Sequence, residues 1–212
     1  MNNNYNPIEI TSANKNELVR GFGEFKENPQ EPVKIINKLD FVGLSKSRRS
    51  IRGYKDKDVT KEQLMQLIEA AQSAPSGGNC QPWHFYVIKD KKLMAEIKEK
   101  SCRQDWILTA SAFIAVCAEG KRSASRYGER GRDLYSIQDT AAAIQNILLC
   151  AQSMGLGACW CGAFDEEKLS EILNLPEKFR PVAIIPVGYP ANGSYPPQNR
   201  RPLDEIVTFI GC

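Results

Sequence analysis

The 212-residue chain has little of what many catalytic and structural sites are built from. It holds one histidine, His84, with no cluster of acids beside it, so neither a structural zinc site nor metal catalysis has a ligand set to draw on. Its seven cysteines are odd in number and include no C-x-x-C pair; Cys159 and Cys161 flank Trp160 and the rest are scattered. They read as reduced thiols, several buried as small hydrophobes, and not as a disulfide framework. No apolar run approaches the roughly 20 residues that cross a bilayer. The opening MNNNYNPIEITSANKNELVR lacks the basic start and apolar stretch of a signal peptide. A cytoplasmic protein without a membrane partner is expected. A net charge of +3 is too small to argue for nucleic acid by itself.

What is present suits one globular domain with a sizeable core: 42% hydrophobic and 25% charged residues. Residues 1–40 are polar, Asn-rich and broken by Pro7, Pro29 and Pro32, and are expected to form a polar arm before a domain at 41–212. Thr60 with Gln63 makes a capping box, and Val59 can staple onto Leu64. Leu64, Leu67, Ile68 and Ala71 then keep helical spacing until Pro75. Phe85 to Ile88 reads as a strand, Lys91 to Lys100 as a helix and Phe113 to Cys117 as a buried strand. From Ile137 to Met154 almost no polar face remains, which predicts a helix buried on most sides, closed by a Schellman stop at Gly155 and Leu156. A strand from Ala158 to Cys161, a short helix capped by Asp165 and a strong strand from Val182 to Val187 complete the reading. Helices and strands do not alternate strictly, so a three-layer α+β domain fits better than a doubly wound sheet.

Three stretches offer chemistry. In Ser47-Arg48-Arg49-Ser50-Ile51-Arg52, the alternating Arg48, Ser50 and Arg52 project to one side of an extended segment, as a phosphate cradle would. A solvated basic patch is the plain alternative. No aromatic residues interleave with the arginines, so single-stranded nucleic acid is the weaker partner. In Pro75-Ser76-Gly77-Gly78-Asn79-Cys80-Gln81-Pro82, the polar side chains surround glycines that let a flat ligand approach the backbone; a plain turn-rich loop is the alternative. His84, just beyond it, is expected to satisfy a local hydrogen bond. Gly155-Leu156-Gly157-Ala158-Cys159-Trp160-Cys161-Gly162 follows a helix instead of opening one, so it is not a dinucleotide fingerprint. Arg200 and Arg201 add a late basic cluster, which an exposed, solvated tail would explain equally, and residues 119–133 carry Arg122, Arg126, Arg130 and Arg132, as a solvated helix with internal ion pairs would.

Taken in order, RRSIR at 48–52, PSGGNCQPWHF at 75–85, the Ala-rich helix entering GLGACWCGAF, FRPVAIIPVGYP at 179–190 and RRPLDEI at 200–206 resemble the FMN-dependent nitroreductase family. The resemblance runs from about residue 42 to the end. It implies a three-layer α/β/α fold with a central, mainly antiparallel sheet, and a homodimer with FMN in a cleft between subunits. NAD(P)H would be the electron donor, and nitroaromatics, quinones or similar conjugated electrophiles the acceptors, in a ping-pong cycle. By resemblance, Arg48, Ser50 and Arg200 or Arg201 meet the phosphate and ribityl chain, with Arg49 in the same segment. Arg52 lies by the N1–C2 edge of the ring. Pro75, Ser76 and Gly77 line the ring, and Asn79 and Gln81 fix the loop or reach the ribityl hydroxyls. The backbone of Trp160, Cys161, Gly162 and Ala163 follows the ring, with the Gly162 N–H near N5. No side chain is then required as catalytic nucleophile or base. The rival readings are a same-fold reductive dehalogenase or flavin-fragmenting enzyme, a flavin store without turnover, and a basic nucleic-acid module.

Overall fold

The computed structural model describes residues 40–191, 195 and 198–211. The arm expected over residues 1–40 lies, but for Asp40, outside the described residues. The helices are α1 (Phe41–Ser47), α2 (Lys61–Gln72), α3 (Lys91–Ile97), α4 (Gly120–Arg130), α5 (Ser136–Ser153) and α6 (Glu166–Ile172). The strands are β1 (Trp83–Ile88), β2 (Ala112–Ala118), β3 (Gly157–Ala158) and β4 (Arg180–Gly188). They form one sheet in the order β1-β2-β4-β3, with every neighbouring pair antiparallel.

Alternation along the two central strands builds the layers. Ala112, Ile114 and Val116 of β2 and Ala183, Ile185 and Val187 of β4 face one way, against Leu64 and Leu67 of α2 and Ala143, Ile144 and Ile147 of α5. Phe113, Ala115 and Ile184 face the other way, against Met94 and Ile97 of α3 and Leu169 of α6. The three-layer α/β/α arrangement is therefore present. Ile114, Ile144, Ile147 and Ile185 have no exposed surface, and each such side chain contributes about 1.5–3 kcal/mol of hydrophobic stabilisation.

The helix ends follow the local sequence. The Gln63 N–H donates to Thr60 Oγ1 while Gln63 Oε1 accepts from the Thr60 N–H, so the capping box is complete. After α5, the Leu156 N–H donates to Ala151 O and the Gly155 N–H to Gln152 O, the double bond of a Schellman motif, with Gly155 at φ +69. Asp165 caps α6 by accepting from the Lys168 N–H.

Three expectations change. The helix from Lys91 stays α-helical only to Ile97; Lys98–Cys102 is a π-turn, ended by left-handed Arg103. The strand expected from Ala158 to Cys161 is paired over Gly157–Ala158 and again only at Cys161, which bridges Ile184. Between them Cys159 and Cys161 turn inward while Trp160 points out, 41% exposed. The third change is polar. Ser136, Asp139 and Thr140 are buried in α5, whose apolar side chains pack on the chain's own sheet.

Candidate functional site

The first basic stretch leaves α1 in extended form and lies alongside β3. Ser50 bridges Ala158 in parallel, and the Ile51 N–H donates to Ala158 O at 3.1 Å. Ile51 is the inward residue, 5% exposed, and it packs directly under Gly157, whose absent Cβ would lie 2.8 Å from Ile51 Cγ1. Burial of Ile51 forces the flanking Ser50 and Arg52 outward. Among the described residues, neither the Arg48 nor the Arg52 guanidinium has a hydrogen-bonding or ion-pair partner, and both lie close enough to the Cys159 thiol to act on it electrostatically. Two guanidinium groups beside a hydroxyl, with no carboxylate paired to them among the described residues, have the donor chemistry of an anion site.

The third stretch forms the other wall of this edge. Gly162 and Ala163 are exposed, and among the described residues nothing accepts from the Gly162 N–H. A Cβ on Gly162 would meet only the Trp160 indole nitrogen, at 3.9 Å, so a flat group can approach the backbone there. Structure thus brings Arg48, Ser50, Arg52, Trp160, Cys161, Gly162 and Ala163 to one edge of the sheet.

Arg49 faces away from this set. Its guanidinium donates to Lys46 O, Arg48 O and Tyr195 O, and with Arg200 it lines a separate cleft of about 450 Å3. Arg200 donates to Asn199 O, and Arg201 is paired with Glu205.

The loop after α2 sits at the opposite edge, leading into β1. Ser76 Oγ accepts from the Gln81 N–H at 3.0 Å and folds the loop over a short 3-10 turn, Gly77–Asn79. Pro75 is exposed at its start. Asn79 and Gln81 are left-handed, at φ 56 and 49, which costs each of them about 1–2 kcal/mol relative to ordinary backbone. The loop is held from α5 and α4. The Gly77 N–H donates to Asp139 Oδ1 at 3.1 Å, Arg122 Nε donates to Cys80 O, and Arg126 Nη1 donates to Gly78 O. Two of the four arginines in 119–133 therefore buttress the loop, and Arg132 pairs with Asp133 and Glu129. Asn79 is exposed and Gln81 half-buried, and among the described residues neither side chain has a hydrogen-bond partner. His84 makes ring contacts instead of the expected hydrogen bond, stacking on Phe179 with centroids 4.5 Å apart.

Asp139 was hidden from sequence reading by the apolar residues around it. It is 7% exposed; Oδ1 serves Gly77, and Oδ2 is buried with no partner among the described residues. Burial pushes its carboxyl above the usual carboxylate range, against the pull of the Gly77 N–H. Signals that would have found it are its spacing from Ser136 and Thr140, which place three polar residues on one turn of an apolar helix.

The two edges are far apart. Asp139 holds Gly77 at one end of α5, and Gln152 Nε2 reaches Ser47 Oγ, 3.3 Å away, near the other end. Thirteen helical positions separate them, roughly 20 Å at 1.5 Å per residue. Counting from β1 through β2, β4 and β3 to the Ser50 segment gives four strand spacings, roughly 19 Å. Within one chain the Ser50 segment and the Pro75–Gln81 loop therefore stand at opposite edges of the sheet.

Comparison with known proteins gives a consistent picture. The nitroreductase family model matches residues 45–102 and 98–189. The chain is 38% identical over 148 residues to an Archaeoglobus fulgidus protein provisionally named NADH dehydrogenase/NAD(P)H nitroreductase, covering 68% of this chain and 82% of that one. It is 34% identical over 159 residues to the NAD(P)H-dependent FMN reductase of Bacillus subtilis, covering 69% of this chain and 64% of the relative. The crystal structure of a nitroreductase family protein from Streptococcus pneumoniae superposes with a TM-score of 0.73 at 26% identity, over 80% of this chain and 100% of that one.

Proposed function

The chain belongs to the nitroreductase family, and from that membership we propose that it is an FMN-dependent oxidoreductase drawing on NAD(P)H, with its two half-sites joined across a homodimer. The observation that carries this reading is the pair of unpartnered guanidinium groups at the Ser50 edge, beside exposed backbone that a flat ring can approach. An anion-binding cradle next to an open backbone ledge is what a phosphorylated, planar cofactor requires. FMN held there would supply two-electron redox chemistry.

The chain's own residues bind and orient. Arg48 and Ser50 would hold the phosphate and its linker, and Arg52 would place a fixed cation against the electron-rich edge of the ring, where reduction adds negative charge. The Gly162 N–H offers a donor from a rigid ledge. With donor and acceptor taken up in turn at the same site, the cycle would be ping-pong. Nitroaromatics, quinones and related conjugated electrophiles suit such a face.

The loop at Pro75–Gln81 can serve the same ligand only from a second copy, because within one chain it stands roughly 19 Å from Ser50. A two-fold dimer supplies that loop to each cleft in exchange for its own. Exposed apolar side chains support an interface: Phe41 and Val42 of α1 are 59% and 60% exposed, and Leu203, Phe209 and Ile210 are 74%, 79% and 89% exposed.

Purified protein is expected to be yellow, to release FMN on denaturation and to bleach with NAD(P)H in the absence of oxygen. An acceptor screen then separates nitroreduction and quinone reduction from dehalogenation. Protein that stays colourless after incubation with FMN, or that keeps its colour with both nicotinamides, contradicts the proposal.

A further inference from the structure

The arginine-rich segment at 119–133 does not close on itself as a solvated helix with internal ion pairs would. Its three carboxylates are taken by other cations: Glu129 and Asp133 both meet Arg132, and Glu119 meets Lys178 at 3.2 Å. Arg122 and Arg130 are exposed, and among the described residues no carboxylate pairs with either. Each uses only its Nε on the protein. Arg122 donates to Cys80 O at 3.0 Å, and Arg130 donates to the Tyr135 hydroxyl at 3.1 Å. Their Nη groups, the part of the fork that grips oxyanions, make no hydrogen bond among the described residues.

These side chains converge on one loop. Arg126 Nη1 donates to Gly78 O, two residues before the Cys80 carbonyl that Arg122 holds. The absent Cβ of Gly78 would lie 2.8 Å from Arg126 Cδ, so the close approach needs glycine there. Beyond Arg126, Gly128 at φ 58 and ψ −145 breaks the helix, and Arg130 lies over the Tyr135 ring, 5.4 Å from its centroid. Tyr135 in turn packs on the loop, its ring 3.4 Å from where a Gly77 Cβ would stand. Three guanidinium groups thus rim the backbone from Gly77 to Cys80. That is the loop which the dimer reading gives to the cofactor cleft.

We propose, resting on the FMN reading, that Arg122 and Arg130 are specificity residues for the electron donor. With Arg126 between them, they take the phosphates of the nicotinamide dinucleotide. Like charges gathered on one rim repel each other, and no carboxylate relieves Arg122 or Arg130, so a polyanion gains from the concentrated positive potential. Phosphates fit this rim better than an anionic acceptor does. Arg122 and Arg126 stand about one helical turn apart, roughly 6 Å along the axis, and Arg130 lies past the break. A ligand must carry more than one anionic group to meet all three. A dinucleotide does, whereas a nitroaromatic or quinone with a single carboxylate would meet one guanidinium and leave the rest.

The test compares donors with and without phosphates. FMN-loaded parent protein and the double variant Arg122→Gln with Arg130→Gln are reduced anaerobically by NADH, by NADPH and by N-benzyl dihydronicotinamide, which carries no phosphate. Flavin bleaching by both dinucleotides is expected to slow about 10- to 100-fold in second-order rate, while the benzyl donor and the FMN content match the parent. Titration with the tetrahydro analogue of NADH, which keeps the phosphates and has no hydride to give, is expected to show Kd raised by the same factor. Arg122→Lys with Arg130→Lys recovers part of the loss, and Arg103→Gln, a charge removed from an exposed site on the π-turn, reproduces none of it. Slowing with all three donors alike, or loss of FMN, would mean that the arginines only hold the loop, and overturns the proposal. So does unchanged reduction by the dinucleotides, or an equal effect from Arg103→Gln. Parent protein that takes up no FMN overturns the FMN reading and this proposal with it; every other contrary result is seen in yellow protein that the benzyl donor bleaches, or in a variant compared with such a parent, and strikes the proposal alone.

Discussion

Gly77 in the loop before β1 donates its N–H to the buried carboxylate of Asp139 in α5, at 3.1 Å. Together with the bonds from Arg122 to Cys80 O and from Arg126 to Gly78 O, it holds the polar loop against α5 and α4. It also sets the scale of the molecule's chemistry, since the far end of the same helix touches Ser47 beside the arginine segment.

Asp139→Ala removes the acceptor and leaves a part-buried N–H unpaired, at a cost of about 1–3 kcal/mol. Asp139→Asn keeps an acceptor oxygen. Urea denaturation and FMN titration are expected to show lost stability and weaker FMN binding for the alanine variant, with most of both retained by asparagine. Equal effects from the two would mean that the Gly77 bond is not what matters there.

The pH dependence of that pair has a definite sign. Burial raises the Asp139 carboxyl above its ordinary 3.8, so the folded state holds the proton more tightly than the unfolded chain. Its contribution is therefore fully present below about pH 3.8 and is lost as pH rises through the raised value. Asparagine does not titrate. Stability measured from about pH 4 upward is expected to shift progressively in favour of Asp139→Asn relative to the parent. A constant difference across that range would contradict it.

If FMN binds as proposed, Arg48→Ala and Arg52→Ala each remove a charge-assisted contact worth about 1.5–3 kcal/mol. FMN affinity, read from quenching of flavin fluorescence, is expected to fall about 10- to 100-fold in each. Arg49→Ala should have a smaller effect, because that guanidinium donates to backbone carbonyls on the other side of the segment. A ranking with Arg49 above both others would reverse the assignment.

Gly157→Ala places a methyl group 2.8 Å from Ile51 Cγ1 and Cγ2, in a position where neither element can retreat without breaking the bridge between Ser50 and Ala158. A cost of about 1–3 kcal/mol is expected in thermal or urea melts, together with weakened FMN binding. Unchanged binding would separate the packing of Ile51 from the cradle.

Much of this was legible in the chain itself, for local reasons. Thr60 with Gln63 and Gly155 with Leu156 announce helix ends because their bonds close within a few residues. The central strands were legible because β2 and β4 are buried on both faces and so are almost wholly apolar. The spread of the site was not. Sheet order is a long-range property, so nothing in RRSIR or PSGGN says that one borders β3 and the other β1. Asp139 stayed hidden because its partner lies 62 positions away.

Subunit complementation tests the shared cleft most directly. Arg48→Ala with Arg52→Ala disables one half-site, and Asn79→Gly removes a loop side chain while tolerating its left-handed backbone. If each variant alone is inactive, mixed dimers have one cleft with both defects and one with neither. Co-purified heterodimers are therefore expected to regain FMN binding at one site per dimer, with NAD(P)H oxidation to match. Heterodimers as inactive as either parent would place the whole site within a single chain and contradict the account.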